Sequence, residues 1–144
     1  MEKTVFTLGT STRSMEEFIE ILKHYKIQVV FDVRRFPTSK HEHFKKENMK
    51  KCLEESGIEY RYLGDKLGGY RKGGYKNYMH TEEYMRGIKE IEKEKRRKCI
   101  VCAERFPWRC HRRYISRTLE ERGWRVVHIL EKGKTWEPTP LFPR

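Results

Sequence analysis

A chain of 144 residues can bury one hydrophobic core without staples, so a single domain spanning residues 1–144 is expected. Its 33 Lys and Arg against 21 Asp and Glu leave a net charge of +12, scattered through every segment, which favours polyanionic partners, a nucleic acid or a nucleotide. No apolar run reaches membrane-helix length and no signal-peptide core precedes the first strand-like segment, so membrane association is excluded and a cytoplasmic location expected.

In chain order, Val5-Phe6-Thr7-Leu8 is a short apolar run ended by Gly9, and Ser14-Met15-Glu16-Glu17 spells a capping box before Phe18, Ile19, Leu22 and Tyr25 at helical spacing. Val29–Val33 is a continuous β-branched strand, closed off by Pro37 and buried on both faces. Met49, Cys52 and Leu53 mark a second helix with Gly57 at its C-terminal cap. Ile58, Tyr60 and Tyr62 alternate with Glu59 and Arg61, as on an edge strand with one wetter face. The stretch 60–78 reads as a long loop of five tyrosines, basic residues and glycines, in which Tyr70 and Arg71 are candidates to stack on bases and neutralise phosphates. A lid over a small nucleotide, or disorder, is the competing account.

Tyr84, Met85, Ile88 and Ile91 form a third helix, Cys99–Ala103 a fourth strand, Tyr114, Ile115 and Leu119 a fourth helix, and Val126–Leu130 a fifth strand. The last fourteen residues, with Trp136 and three prolines, read as a tail packed on the domain. Five strands alternating with four helices predict an α/β, three-layer Rossmann-like domain with a parallel five-stranded sheet in the order 3-2-1-4-5. Ligands would then bind between strands 1 and 4, where the order reverses. One basic cleft would gather Gly9–Arg13, Asp32–Pro37 and Cys102–Arg113.

Three groups of residues carry candidate chemistry. Gly9-Thr10-Ser11-Thr12-Arg13-Ser14 leaves a strand for a helix, so Ser11, Thr12 and Arg13 resemble an anion cradle, or simply a capped helix entry. It matches neither the dinucleotide fingerprint nor the P-loop, and no cofactor is expected. Asp32 at a buried strand end needs a partner, and Arg34 or Arg35 is close; the pair is either catalytic or a structural orienter. Glu104 is a candidate general base, with a salt bridge to Arg13 or Arg34 as its structural alternative.

Cysteine usage, four residues at 52, 99, 102 and 110, reads as reduced thiols, with a disulfide open if the source is a hyperthermophile. Cys110 at a helix start among Arg109, His111, Arg112 and Arg113 is the reactive candidate with a lowered pKa, while Cys102 is expected to be buried and inert. Neither cysteine has the C-x5-R spacing of a tyrosine-phosphatase loop, since Trp108 and Ser116 stand at the arginine positions. Cys99 and Cys102 point to opposite faces of a strand, and the H-x-H of His41 and His43 has no second ligand pair, so no metal is expected.

Taken together, Gly9–Ser14, Asp32-Val33-Arg34 with Pro37, Leu67-Gly68-Gly69, Cys102-Ala103-Glu104, Pro107 and Cys110-His111-Arg112 resemble the family called domain of unknown function 488 over nearly the whole chain. The resemblance implies an α/β domain and the importance of these blocks, without supplying a reaction. Thr10 stands where many members have His, which leaves His111 as the acid or base candidate. Three functions follow: an enzyme acting on a nucleotide or nucleic acid with Arg13, Arg34 and Arg112 at phosphate; a non-catalytic nucleic-acid-binding module; or a thiol enzyme using Cys110.

Overall fold

The computed structural model describes residues 3–35 and 44–138. Pro37, His41, His43 and the prolines at 140 and 143 lie outside the described residues. The elements are β1 (Thr4–Gly9), α1 (Met15–His24), β2 (Val29–Asp32), α2 (Lys46–Glu55), β3 (Glu59–Tyr62), α3 (Gly64–Leu67), α4 (Tyr75–Tyr78), α5 (Glu82–Lys93), β4 (Lys98–Cys102), α6 (Arg112–Glu121), β5 (Arg125–Glu131) and β6 (Lys134–Trp136). All four long helices and all five parallel strands fall where hydrophobic periodicity places them. The Ser14 side chain accepts the Glu17 N–H as the helix cap at 3.0 Å, and Gly57 takes a left-handed φ of 82° just past α2.

One open sheet runs in the order β3-β2-β4-β1-β5-β6, parallel except for the antiparallel β5–β6 pair. Helices α1 and α2 cover one face, packing Phe18, Leu22, Met49 and Leu53 on Leu8, Val30 and Val101. Helices α5 and α6 cover the other, packing Tyr84, Ile88, Ile115 and Leu119 on Val5, Phe31 and Ile100. None of the described helices is long and apolar enough to cross a membrane.

The observed order corrects the expected one at a single exchange: β4 lies between β2 and β1 rather than outside β1. The three strands β1, β2 and β4 are all buried nearly throughout, so each suits any interior position and patterning does not rank them. Two further corrections concern loops. The tyrosine-rich stretch contains α3 and α4, and the tail begins with β6, whose turn is made by Gly133 at a φ of 78°.

The exchange moves the mouth of the sheet. The chain leaves β1 and β2 toward the β3 edge and leaves β4 toward the β5 edge, so the exits diverge between β2 and β4, and a crevice opens there. Between β1 and β4 the backbone closes instead: the Thr10 and Ser11 amides donate to the Cys102 and Ala103 carbonyls at 2.8 and 2.9 Å. A Cβ on Gly9 would overlap the Glu104 carbonyl, which makes glycine obligatory at that approach. Gly9→Ala is expected to cost about 1–3 kcal/mol through backbone displacement, read as a lowered urea midpoint at unchanged slope.

Candidate functional site

Beyond the carboxyl ends of β2 and β4 lies a cleft of about 830 Å³, within the range of small-molecule sites. Arg34, Arg35, Gly69, Tyr70 and Tyr75 line it on the β2 and β3 side, and Ala103, Glu104, Arg109, Cys110 and His111 on the β4 and α6 side. The Leu67-Gly68-Gly69 block shapes the first wall. A Cβ on Gly68 would lie 2.5 Å from the Arg35 Cα, and one on Gly69 would lie 3.3 Å from His111 Nδ1, so the bare backbone is what lets α3 close on the site.

Asp32 lies under this wall. Its carboxylate is buried and accepts from Arg34 Nε and Nη2 at 2.9 and 2.8 Å, from the Arg34 amide at 3.1 Å and from the Tyr60 hydroxyl at 2.6 Å. The remaining Arg34 terminal nitrogen donates to the Phe44 carbonyl at 2.7 Å. Burial pulls the guanidinium down, but the hydrogen bonds and charge of Asp32 outweigh it and hold Arg34 above its ordinary value. This network orients the loop after β2, while Arg35 reaches across to donate to the Tyr70 carbonyl at 2.6 Å.

Tyr70 stands at the mouth with 87% of its surface exposed and a left-handed φ of 57°. Arg71, expected to meet phosphate, instead donates to the carbonyls of Gly68, Gly64 and Asp65 and stacks 4.0 Å from the Tyr78 ring centroid. It fastens the loop that carries Tyr70. Arg109 lines the cleft with its guanidinium 5.7 Å from the Phe106 ring centroid and no carboxylate partner among the described residues.

The floor holds the chemistry. His111 Nε2 lies 3.1 Å from the Val33 carbonyl, which can only accept, so Nε2 carries the proton and Nδ1 presents a lone pair to Cys110 Sγ at 3.5 Å. Burial, followed by the Arg112 charge, lowers the His111 pKa and keeps the ring neutral at pH 7. Cys110 Sγ accepts the Arg112 amide at 3.4 Å and lies 3.1 Å from Cys102 Sγ. Cys102 is buried as expected but is not isolated, since it shares a proton with Cys110 across this contact. Burial pushes the Cys102 thiol up, but the hydrogen bond from Cys110 and the nearby Arg112 charge outweigh it and bring it down to about 7. Cys110, donating that bond and itself buried, is pushed up. The two sulfurs titrate as one pair that loses its first proton easily and its second with difficulty.

Glu104 is exposed in the cleft, and its carboxylate pairs with neither Arg13 nor Arg34. Arg13 faces elsewhere: it donates to the Gly9 and Leu130 carbonyls at 3.0 and 2.6 Å and pairs with Glu17 at 3.2 Å. With Thr12, Arg105 and Lys132 it borders a separate cavity of about 460 Å³ between the ends of β1 and β5. Ser11, half-buried with a φ of 50°, is held by its amide on the Ala103 carbonyl. The single basic cleft expected from the sequence is thus two sites, because the β1 exit is pinned along β4. Among the described residues, no cluster of His, Cys, Asp and Glu is arranged to hold a metal.

Arg35, Arg109, Tyr75 and Cys102 were not singled out as site residues by sequence reasoning. Only Pro107, whose 3-10 turn at Pro107–Arg109 swings Cys110 back over the end of β4, offered a signal for the thiol pairing. No curated protein and no solved structure matched the chain. Residues 14–119, which contain every residue lining the larger cleft but not the Gly9–Arg13 loop, match the family described as domain of unknown function DUF488, and the chain belongs to that family.

Proposed function

We propose that the cleft between the ends of β2 and β4 binds a phosphate-bearing ligand, a nucleotide or a nucleic-acid strand, and that its floor acts on that ligand. The observation that carries this reading is Tyr70. A large aromatic ring, 87% exposed in a backbone conformation unfavourable to non-glycine residues, is held at the mouth of a cleft that also contains Arg35 and Arg109. Such strain persists where the surroundings enforce it, as at ligand clamps, and an exposed ring beside cations is the platform on which a base stacks while its phosphate is neutralised. The net charge of +12 supports the same class of ligand. Glu104, a carboxylate among cations, is the candidate general base, and His111, with a free lone pair on Nδ1, is the candidate proton carrier.

The test is affinity for labelled single-stranded DNA, single-stranded RNA and free nucleotide at two salt concentrations. Tyr70→Ala is expected to cost about 1–3 kcal/mol of binding, and Arg109→Ala to reduce the slope of log K against log salt by roughly 0.7 for a single-stranded ligand. Binding that is absent, or indifferent to both substitutions, would remove this reading. Turnover of a bound ligand, lost in Glu104→Gln with binding retained, would separate an enzyme from a binding module.

A further inference from the structure

Arg112 opens α6 with no exposed surface, and its charge has no carboxylate partner among the described residues. Its terminal nitrogens donate to Thr7 Oγ1 at 3.0 Å and to the Glu104 and Arg105 carbonyls at 2.9 and 3.3 Å, while its buried Nε has no hydrogen-bond partner. Glu120, the acidic residue buried on the same helix, is eight residues and so about two turns further along. A buried cation without a counterion is costly, and of the three thiols in its field burial in the core keeps Cys99 protonated, which leaves Cys102 and Cys110 to become anionic. Arg112 is therefore built to hold a thiolate.

The two thiols differ in access. Cys102 is sealed at the end of β4, whereas Cys110 lines the cleft, and 3.1 Å separates their sulfurs. Cys99, on the same strand as Cys102, packs in the core on the opposite face of the sheet, and Cys52 lies on α2. A sulfur that reaches the cleft, backed by a sealed one, is the arrangement that thiol–disulfide exchange requires: the first forms a mixed disulfide and the second resolves it.

We propose that Cys110 and Cys102 are a dithiol–disulfide exchange site, in which Cys110 attacks a small-molecule disulfide entering the cleft and Cys102 resolves the product. The one proton left on the pair passes from Cys110 to Cys102 along their 3.1 Å contact, and the Cys110 thiolate so formed attacks one sulfur of R–S–S–R, forming a Cys110–S–S–R bond and expelling RS⁻. Cys102 then loses its proton to solvent and attacks Cys110 Sγ, forming the Cys102–Cys110 bond and expelling the second RS⁻. The two thiolates released take up two protons, so the protein gives two electrons and two protons and the disulfide becomes two RSH. The activity does not depend on the nucleotide reading, which stands or falls on binding and its salt dependence.

The experiment exposes the reduced full chain to bis(2-hydroxyethyl) disulfide at about pH 7, quenches with an alkylating reagent and maps the peptides by mass. The expected result is a Cys102–Cys110 cross-link with Cys52 and Cys99 alkylated, formed about tenfold faster than any mixed disulfide on Cys52. Cys102→Ser should stop at the mixed disulfide on Cys110, with one thiol released rather than two. Cys110→Ser should release none over the same time. A wild-type chain that stalls as a mixed disulfide without cross-linking, or that reacts no faster at Cys110 than at Cys52, overturns the proposal without recourse to any variant.

Discussion

Asp32→Ala is expected to remove about 3–5 kcal/mol of folding stability, the cost of leaving a buried charge without its partner. Asp32 is fully buried and Arg34 nearly so, joined by two parallel hydrogen bonds of 2.9 and 2.8 Å. Deleting the carboxylate strands the guanidinium and the Tyr60 hydroxyl together. Tyr60→Phe, which removes one donor and leaves the ion pair, should cost only about 1 kcal/mol. The double variant Asp32→Ala with Arg34→Met should be more stable than Asp32→Ala alone, because the uncompensated charge leaves with the arginine. Urea midpoints at constant slope measure all three. A stable Asp32→Ala protein that has lost turnover would instead make Asp32 a chemical group rather than the brace of the loop carrying Arg35.

Acid is expected to unfold the protein through His128. The ring is buried on β5, with Nδ1 2.6 Å from Thr7 Oγ1. Thr7 Oγ1 accepts from Arg112, so its own proton is free to go to Nδ1, which fixes His128 as a neutral acceptor. Burial, then the Arg112 charge, lowers its pKa to about 3 from an ordinary 6.5. The unfolded chain therefore binds a proton near pH 6.5 and the folded chain does not until about 3. Stability is full above the higher value and falls on acidification at up to about 1.4 kcal/mol per pH unit across that window. Between pH 7.5 and pH 5 the loss should be roughly 2 kcal/mol, and His128→Gln, which keeps an acceptor but cannot titrate, should abolish most of it. If His128→Gln loses as much stability as the parent, the effect belongs to His111, whose pKa is lowered by the same causes. Glu94, held down to about 2 by its hydrogen bonds from Arg96, adds to the acid loss only below the ordinary carboxylate range.

Much of the architecture was legible because it is local. Continuous apolar runs at Val5–Leu8, Val29–Phe31 and Cys99–Val101 report burial on both faces, and helical spacing at Phe18, Ile88 and Leu119 reports one buried stripe each. These patterns yield the alternation of strand and helix, the edge position of β3 and the side of the sheet at which Arg34, Glu104, Cys110 and His111 gather. The short helices α3 and α4 and the strand β6 escaped because four-residue or shorter elements carry too little periodicity to register.

By itself, then, the sequence determined the α/β class, the strands and long helices that bear the floor of the site, and the family to which the chain belongs. Tertiary structure alone decided that β4 inserts between β2 and β1, that Arg13 turns away from the cleft, that Asp32 serves as a brace, and that Cys102 meets Cys110. The physical reason is common to all four. Hydrophobic patterning states whether a residue is buried but not against what, and except for Cys102 and Cys110, eight positions apart across a turn that periodicity does not register, the deciding contacts join residues far apart in the chain. Tyr60 reaches Asp32 across 28 positions, Arg112 reaches Thr7 across 105, and Arg13 reaches Leu130 across 117.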